Sequence, residues 1–289
     1  MEAFLDIVKA FIYGIVEGIT EWLPVSSTGH LILVEEFLPF KGASEGFFDM
    51  FDVVIQLGAI MAVVILFWNK IWPFGLPENQ KNPGEGIWGY VKMDKILLWI
   101  KIMIACVPAA VIGILFDDYF DAWFYNPVCV SIALIAFGIA FIVVENWNKG
   151  RKPKVRTLDD ITYKTALIIG VFQLLAAVFP GTSRSGSTIV GSLCIGISRE
   201  AAAKFTFFLA IPVMMGASLL KILKFEGDVT GAEIAMLIIG MVVAFLVSWI
   251  VIKKLMAYIR KHNFNVFGWY RIVVGVLFII LGVAGLLKM

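Results

Sequence analysis

Residues 14–30 read G-I-V-E-G-I-T-E-W-L-P-V-S-S-T-G-H, and residues 170–186 read G-V-F-Q-L-L-A-A-V-F-P-G-T-S-R-S-G. Each stretch is an apolar half-helix, then a proline, then hydroxyl residues that open a new helix. Broken apolar helices with polar groups at the break are typical of membrane proteins whose binding site lies near the bilayer midplane. We therefore expect the working parts of the protein at residues 14–30 and 170–188.

The two stretches align as an internal repeat, offset by 156 residues. The aligned pairs are Gly14 with Gly170, Glu17 with Gln173, Pro24 with Pro180, Ser26 with Thr182, and Ser27 with Ser183. We call the interruption around Pro24 the first break and the one around Pro180 the second break. The alignment predicts that Ser26 and Thr182 occupy equivalent positions at the two breaks, and likewise Ser27 and Ser183.

The composition is that of a chain surrounded by lipid. Of its 289 residues, 60% are hydrophobic and only 16% are charged, and the mean hydropathy is +0.91. These values leave too few polar residues to cover a soluble globule of this length. We predict an all-α integral membrane protein in a single membrane domain, residues 1–289. The segment from Phe4 to Thr20 lies among the acidic residues Glu2, Asp6 and Glu17, so we expect it to be retained as structure and not to be a signal peptide.

Six apolar stretches are long enough to cross a hydrocarbon core of about 30 Å. They lie at residues 50–68, 96–116, 127–144, 203–224, 234–252 and 266–287. Three connections are basic, with Lys70, Lys81, Lys92, Lys95, Lys149, Arg151, Lys152, Lys154, Arg156, Lys253, Lys254, Arg260 and Lys261. Two are acidic, with Asp117, Asp118, Asp121, Glu226, Asp228 and Glu233. The positive-inside rule places the basic connections in the cytoplasm and the acidic ones outside.

The segments 1–40 and 161–197 each consist of two apolar halves that are too short to cross alone. Given the predicted orientation, segment 1–40 enters and leaves on the outer face, and segment 161–197 does so on the cytoplasmic face. We therefore expect six transmembrane helices and two re-entrant helical hairpins. An odd number of spans per half makes this an inverted repeat, with repeat 1 at about 1–145 and repeat 2 at about 160–289.

The first break carries two carboxylates at helical spacing, Glu17 and Glu21. Ionisable groups at membrane depth are costly and usually serve a function. Two such groups on one face bind a divalent cation between their oxygens or share a proton. An exposed amphipathic face on a hairpin that only skims the surface is the simpler explanation.

The hydroxyl residues Ser26, Ser27 and Thr28 follow Pro24 and are of the type that caps a helix N-terminus. Such a helix start attracts anions, phosphate in particular. His30 lies three residues beyond Ser27, so we expect its imidazole on the same side of the first turn.

The second break places one arginine among small hydroxyl residues. It contains Thr182, Ser183, Arg184, Ser185 and Thr188. An arginine fork, several hydroxyl donors and unpaired backbone N–H groups together match the oxygens of a phosphate. Neither break has the glycine pattern of a soluble nucleotide-binding loop, and we expect no nucleotide or nucleic-acid partner.

Inverted hairpins can meet at their tips, which would bring the two breaks into one site. The combined residues supply acids, a candidate nucleophile in Ser27, a candidate general acid or base in His30, and a phosphate clamp in Arg184. Phosphoryl transfer requires charge neutralisation, positioning and proton management of this kind.

At these residues the chain resembles the BacA-type undecaprenyl pyrophosphate phosphatases, integral bacterial membrane enzymes, over its whole length. The family pattern (E/Q)-x-x-x-E is present as Glu17 and Glu21, and P-G-x-S-R-S-x-x-T as Pro180 to Thr188. The resemblance implies hydrolysis of undecaprenyl diphosphate and other polyprenyl diphosphates, recycling of the lipid carrier for the cell wall, and bacitracin resistance on overproduction. It also implies a multi-pass protein of the inner membrane with a site open to the outer side.

The resemblance further implies a dependence on Mg²⁺ or Ca²⁺ and catalysis by Glu21, Ser27, His30 and Arg184. We expect Glu17 and Glu21 to hold the cation. We expect the remaining hydroxyl residues at the breaks to bind substrate; these are Ser26, Thr28, Thr182, Ser183, Ser185 and Thr188.

The residues leave three questions open: which residue is the nucleophile, whether the protein is an enzyme or a translocase, and whether it forms an oligomer. Either Ser27 attacks the phosphorus while His30 handles its proton, or His30 attacks and forms a phosphohistidine. A lipid-phosphate translocase is the alternative function, because broken inverted repeats are above all a transporter architecture. A homo-oligomer is possible, although small residues such as Gly240 and Gly275 could equally pack within one chain.

Overall fold

The structure is a computed structural model that describes residues 2–75, 90–124 and 126–285, and its regular elements are helices. The helices are α1 (Glu2–Thr20), α2 (Ser27–Phe37), α3 (Phe47–Val54), α4 (Gln56–Leu66), α5 (Trp68–Ile71), α6 (Met93–Phe124), α7 (Pro127–Trp147), α8 (Tyr163–Val178), α9 (Arg184–Cys194), α10 (Arg199–Lys224), α11 (Gly231–Ile259) and α12 (Asn265–Val283). No β-strand occurs in these ranges, which confirms the all-α class.

The described residues contain six helical segments that are long and apolar enough to cross a membrane, as predicted. They are Phe47–Leu66, Met93–Gly113, Val128–Trp147, Arg199–Lys224, Gly231–Ile259 and Asn265–Val283. The first consists of α3 and α4, which meet at Ile55. Lys81 of the predicted basic connections lies outside the described residues, as do the side chains of Asp117, Asp118 and Asp121.

Both half-helices end before their proline rather than at it. The helix α1 ends at Thr20, four residues before Pro24, and α8 ends at Val178, two residues before Pro180. Phe179, which precedes Pro180, has an extended backbone with φ −115° and ψ 101°. The ring of a proline disfavours helical geometry in the residue before it, which explains why α8 stops at Val178.

The helices after the two breaks begin with the same unusual backbone. Ser26 caps α2 with φ 74°, and Ser183 caps α9 with φ 69°. Each cap hydroxyl accepts a hydrogen bond from a glycine N–H three residues later, at 3.4 Å from Gly29 and 3.1 Å from Gly186. A non-glycine residue with positive φ costs about 1–3 kcal/mol and is found most often at functional sites. The two breaks are therefore built to the same local design.

This geometry corrects the predicted alignment after the prolines. Ser26 is structurally equivalent to Ser183, not to Thr182, and Ser27 is equivalent to Arg184, not to Ser183. The second break holds one more residue between its proline and its cap, and it accommodates that residue with Gly181 at φ 89°. Ser27 and Arg184 are thus the first residues of their helices.

Two glycines of the repeat allow close helix packing. A Cβ atom on Gly14 of α1 would lie 2.6 Å from the carbonyl oxygen of Gly240 on α11, and one on Gly170 of α8 would lie 2.4 Å from that of Ala105 on α6. Gly240 and Gly275 also pack inside the chain, against residues of α3 and α7 respectively. They are not free faces for a second copy.

We expect Gly170→Ala to destabilise the protein by about 1–3 kcal/mol, because the added methyl group must push α8 away from α6. The matched control is Gly216→Ala in α10, where an added Cβ meets nothing within 4 Å. Thermal unfolding of the two variants in detergent tests this. Equal melting temperatures would contradict the close packing of α8 on α6.

Candidate active site

One cavity of about 240 Å³ lies between the two breaks. It is lined by Glu21, Ser26, Ser27, Thr28, Gln56, Ala176, Ala177, Val178, Pro180, Gly181, Ser183, Arg184, Val213, Met214 and Ala217. Residues of both breaks therefore line one cavity, as the prediction that the tips of the hairpins meet requires. Predicted residues that do not line it are Glu17, His30, Thr182, Ser185 and Thr188.

The carboxylate of Glu21 joins the two breaks. Ser27 Oγ donates to its Oε2 at 2.6 Å, and Arg184 Nη2 donates to its Oε1 at 2.8 Å. Glu21 is 6% exposed, so both contacts are shielded from bulk solvent. Charge-assisted hydrogen bonds of this kind are roughly twice as strong as neutral ones. One buried carboxylate thus binds the first residue of α2 and the first residue of α9.

Arg184 is fixed in place by the helix that follows α9 in the chain. Its Nη1 donates to the carbonyl oxygen of Thr206 on α10 at 2.9 Å. Thr188 anchors the same turn, since its hydroxyl contacts that of Thr206 at 2.9 Å. The Nε of Arg184 is buried and has no hydrogen-bond partner among the described residues. A buried donor beside a cavity is available to an anionic ligand.

Thr182 and Ser185 are buried at the second break and do not line the cavity. Ser185 Oγ contacts the hydroxyl of Ser183 at 3.1 Å, and the backbone carbonyl of Glu21 lies 3.4 Å from it. The hydroxyl of Thr182 is buried, and no described residue is its hydrogen-bond partner. Ser185 thus connects the second break to the backbone of Glu21 in the first.

His30 is not hydrogen-bonded to Ser27 in the described structure. Its Nδ1 lies 2.7 Å from the carbonyl oxygen of Ser26, and its Nε2 lies 2.7 Å from the hydroxyl of Tyr270 on α12. Because a carbonyl oxygen only accepts, Nδ1 carries a proton, and in the neutral ring Nε2 accepts from Tyr270. The spacing from Ser27 to His30 predicted only that the imidazole lies on the same side of the first turn, and the group that is hydrogen-bonded to Ser27 is the carboxylate of Glu21.

Glu17 is fully buried, and neither of its carboxylate oxygens has a hydrogen-bond partner in the described structure. Gln173, its counterpart in the repeat, is likewise buried with both side-chain polar atoms unpartnered. An unpaired buried carboxylate is strongly unfavourable unless it binds a proton or a cation. Within the described ranges no group of three or more His, Cys, Asp or Glu residues is arranged to hold a metal ion. A cation here would have to complete its ligand shell with substrate oxygens and water, which is the usual mode of Mg²⁺.

Sequence reasoning missed two residues of the site. Arg271 on α12 is fully buried and binds backbone carbonyls of both breaks. A charged residue inside the predicted span 266–287 was the available signal, since such residues are rarely without a function. Gln56 lines the cavity from the start of α4. Its position at the interruption of the first span becomes meaningful only once the fold is known.

Comparison with known proteins assigns the chain to a family. The family model described as "Bacitracin resistance protein BacA" matches residues 10–277. The chain belongs to the BacA family. It is 58% identical over 278 residues to a protein of Enterococcus faecalis named undecaprenyl-diphosphatase, covering 96% of this chain and 98% of that protein.

Other BacA relatives carry the same name. A protein of Desulfitobacterium hafniense named undecaprenyl-diphosphatase is 58% identical, covering 95% of each chain. One of Streptococcus mutans with that name is 50% identical, covering 96% of this chain and 97% of the relative. The similarity to the BacA family extends through both breaks, which lie within the matched residues 10–277.

Proposed function

We propose that the protein is an undecaprenyl-diphosphatase, which hydrolyses undecaprenyl diphosphate to undecaprenyl phosphate and inorganic phosphate. Full-length relatives at 58% identity bear this name. The observation that carries the proposal is the carboxylate of Glu21, which binds a serine hydroxyl on one oxygen and an arginine on the other. The candidate nucleophile Ser27, its base Glu21 and the phosphate-binding guanidinium of Arg184 are therefore adjacent, as phosphoryl transfer requires.

In the proposed mechanism, Arg184 and the N-termini of α2 and α9 bind the terminal phosphate. Ser27 Oγ attacks its phosphorus and passes its proton to Glu21. The bond from that phosphorus to the bridging oxygen breaks, and undecaprenyl phosphate leaves. Water then attacks the phosphoserine and the Oγ–phosphorus bond breaks. Glu21 returns its proton to Oγ, and inorganic phosphate leaves with both protons of the water.

The rival nucleophile is His30. Two observations favour Ser27: both ring nitrogens of His30 already contact Ser26 and Tyr270, and His30 does not line the cavity. We propose that His30 serves proton transfer near the first turn of α2 instead of attacking. A phosphoenzyme trapped with radiolabelled substrate is expected to be stable to acid, as a phosphoserine is. An acid-labile phosphohistidine would overturn the serine assignment.

We further propose that Glu17 and Glu21 hold a divalent cation, Mg²⁺ or Ca²⁺, together with phosphate oxygens of the substrate. The unpartnered oxygens of Glu17 fit such a ligand. When bound, the cation neutralises charge on the phosphate oxygens. Glu17 and Glu21 would hold the cation, and Glu21 would keep its hydrogen bonds from Ser27 and Arg184.

The proposed architecture is an inverted repeat with two re-entrant hairpins, α1–α2 and α8–α9. Its support is the exchange of packing partners: α1 packs on α11 of the second half, and α8 packs on α6 of the first. At the contact of α7 with α12, a Cβ on Gly138 would meet the carbonyl of Gly268 at 2.7 Å, and one on Gly268 would meet that of Gly138 at 2.8 Å. Such reciprocal contacts are expected on a pseudo-two-fold axis.

In the cell, we propose, this enzyme lies in the bacterial inner membrane with its cavity open to the outer side. There it would recycle the lipid carrier used for cell-wall polymers and confer bacitracin resistance when overproduced. A substrate with a long isoprenoid tail stays in the bilayer, so the site has to admit lipid from the side and water at the breaks.

Phosphate release from undecaprenyl diphosphate by purified protein in detergent tests the proposal. We expect release with Mg²⁺ or Ca²⁺, loss of release with a chelator, and no release from undecaprenyl monophosphate. Folded protein that releases no phosphate but moves undecaprenyl phosphate across vesicle membranes would overturn the phosphatase in favour of a translocase.

A further inference from the structure

We propose that Arg271 is a positioning residue that holds the two breaks against each other, so that Glu21 reaches Ser27 and Arg184 at the same time. The inference rests on the proposed phosphatase function and adds to its site a residue from α12. Arg271 is not among the residues that line the cavity. Its action is therefore through the backbone of the breaks and not on the substrate.

The guanidinium of Arg271 binds both breaks directly. Its Nη1 donates to the carbonyl oxygen of Pro24 at 3.1 Å, in the first break. Its Nη2 donates to the carbonyl oxygens of Gly181 and Thr182 at 2.9 and 2.8 Å, in the second break. The Nε lies 3.5 Å from the carbonyl oxygen of Leu134 on α7. One side chain of α12 thus connects both breaks and α7.

These contacts satisfy groups that would otherwise be costly. Backbone carbonyls at a helix break have no partner within a helix, and leaving them unpaired away from water is strongly unfavourable. A buried cation is also unfavourable unless good hydrogen bonds surround it. In the described structure the acceptors of Arg271 are neutral carbonyl oxygens. The break carbonyls and the guanidinium therefore satisfy each other.

The position of Arg271 is fixed by close packing on both sides. A Cβ on Gly186, in the first turn of α9, would lie 2.9 Å from Nη1. Three residues before Arg271 on the same helix, Gly268 packs against Gly138 of α7. The guanidinium consequently has little freedom to move away from the breaks.

A planar fork with five donors can bind acceptors on two chain segments, whereas the ammonium of lysine is a single point on a flexible stem. Without the fork, the spacing between Pro24 and Thr182 is no longer fixed, and with it the spacing between Ser27 and Arg184. A misplacement of about 1 Å in an active site can cost about 10²-fold in rate.

The test compares Arg271→Lys with the matched control Arg199→Lys. Arg199 begins α10 and pairs with the buried carboxylate of Glu145, away from the cavity. We expect Arg271→Lys to lower kcat about 10²-fold while KM changes less than about 3-fold. Arg199→Lys is expected to lower the melting temperature with kcat unchanged. If Arg271→Lys does not fold, Arg271→Gln, which keeps a neutral donor, takes its place.

Two results would overturn the inference. A raised KM with unchanged kcat would mean that Arg271 binds substrate itself, and a lower melting temperature with unchanged kcat and KM would mean that it only stabilises the fold. Inactive wild-type protein would instead refute the proposed function.

A readout independent of activity separates the two failures. If Arg271 and Arg184 hold the same pair of breaks, the double variant Arg184→Lys/Arg271→Lys loses less melting temperature than the two single losses added. Additive losses would overturn the coupling even in an inactive protein.

Discussion

Replacing Arg184 with lysine is expected to lower kcat/KM for undecaprenyl diphosphate by about 10³-fold or more, the scale on which transition-state arginines act in phosphoryl transfer. The reason is geometric. Arg184 uses one terminal nitrogen for Glu21 and the other for the carbonyl of Thr206, and it still presents Nε. A lysine keeps the charge but cannot hold these contacts and a phosphate oxygen together.

The control for this substitution is Arg260→Lys. Arg260 is 61% exposed and lies 3.4 Å from Glu200, so its replacement should leave kcat/KM within about 2-fold, as for an ordinary surface ion pair. Steady-state phosphate release measures both variants. Activity of Arg184→Lys near that of the wild type would contradict the role of the arginine as the phosphate clamp.

Replacing Ser27 with alanine is expected to lower kcat on the order of 10³-fold or more, because the variant lacks both the nucleophile and the donor to Glu21. Ser218→Ala is the matched control, since Ser218 is also a buried serine and donates to the carbonyl of Val53 at 3.0 Å. Removing that bond should cost stability of about 1 kcal/mol and leave kcat unchanged.

Single-turnover phosphate release with excess enzyme measures the residual rate of Ser27→Ala. A small loss of kcat together with a raised KM in steady-state assays would show that the hydroxyl only assists binding, and another group would then be the nucleophile. Identical losses in Ser218→Ala would indicate general destabilisation in place of a catalytic role.

The membrane-spanning helices could be predicted because they depend on composition along the chain. The span at 203–224 is a long apolar run, and α10 extends it only to Arg199–Lys224. The breaks were visible because proline interrupts an apolar helix in both halves. For features of this kind, the local sequence contains most of the physical cause.

The register of the second break could not be predicted, because serine and threonine are equally good partners in an alignment. What distinguishes Ser183 from Thr182 is a positive φ and a hydrogen bond to Gly186, and these appear only in three dimensions. The second break accommodates its extra residue through the positive φ of Gly181. Neither the hydropathy nor the spacing of the sequence reveals that backbone conformation.

The partners of the site residues also lay beyond sequence reasoning. Helical spacing placed the imidazole of His30 on the same side of the first turn as Ser27, but it gave no sign that Nε2 contacts Tyr270, which lies 240 residues later in the chain. Arg271 is next to that tyrosine; its charge inside an apolar span was visible in the sequence, but its partners at the two breaks were not. Long-range contacts of this kind depend on how α12 packs, and no local pattern encodes that.

The central claim is that the two breaks form one catalytic unit around Glu21, and the double variant Ser27→Ala/Arg184→Lys tests it most directly. Residues that act as a unit are strongly non-additive. In single-turnover phosphate release, we therefore expect the double variant to be about as active as the less active single variant. Losses that multiply, so that the double variant falls below detection while both single variants remain measurable, would contradict the claim.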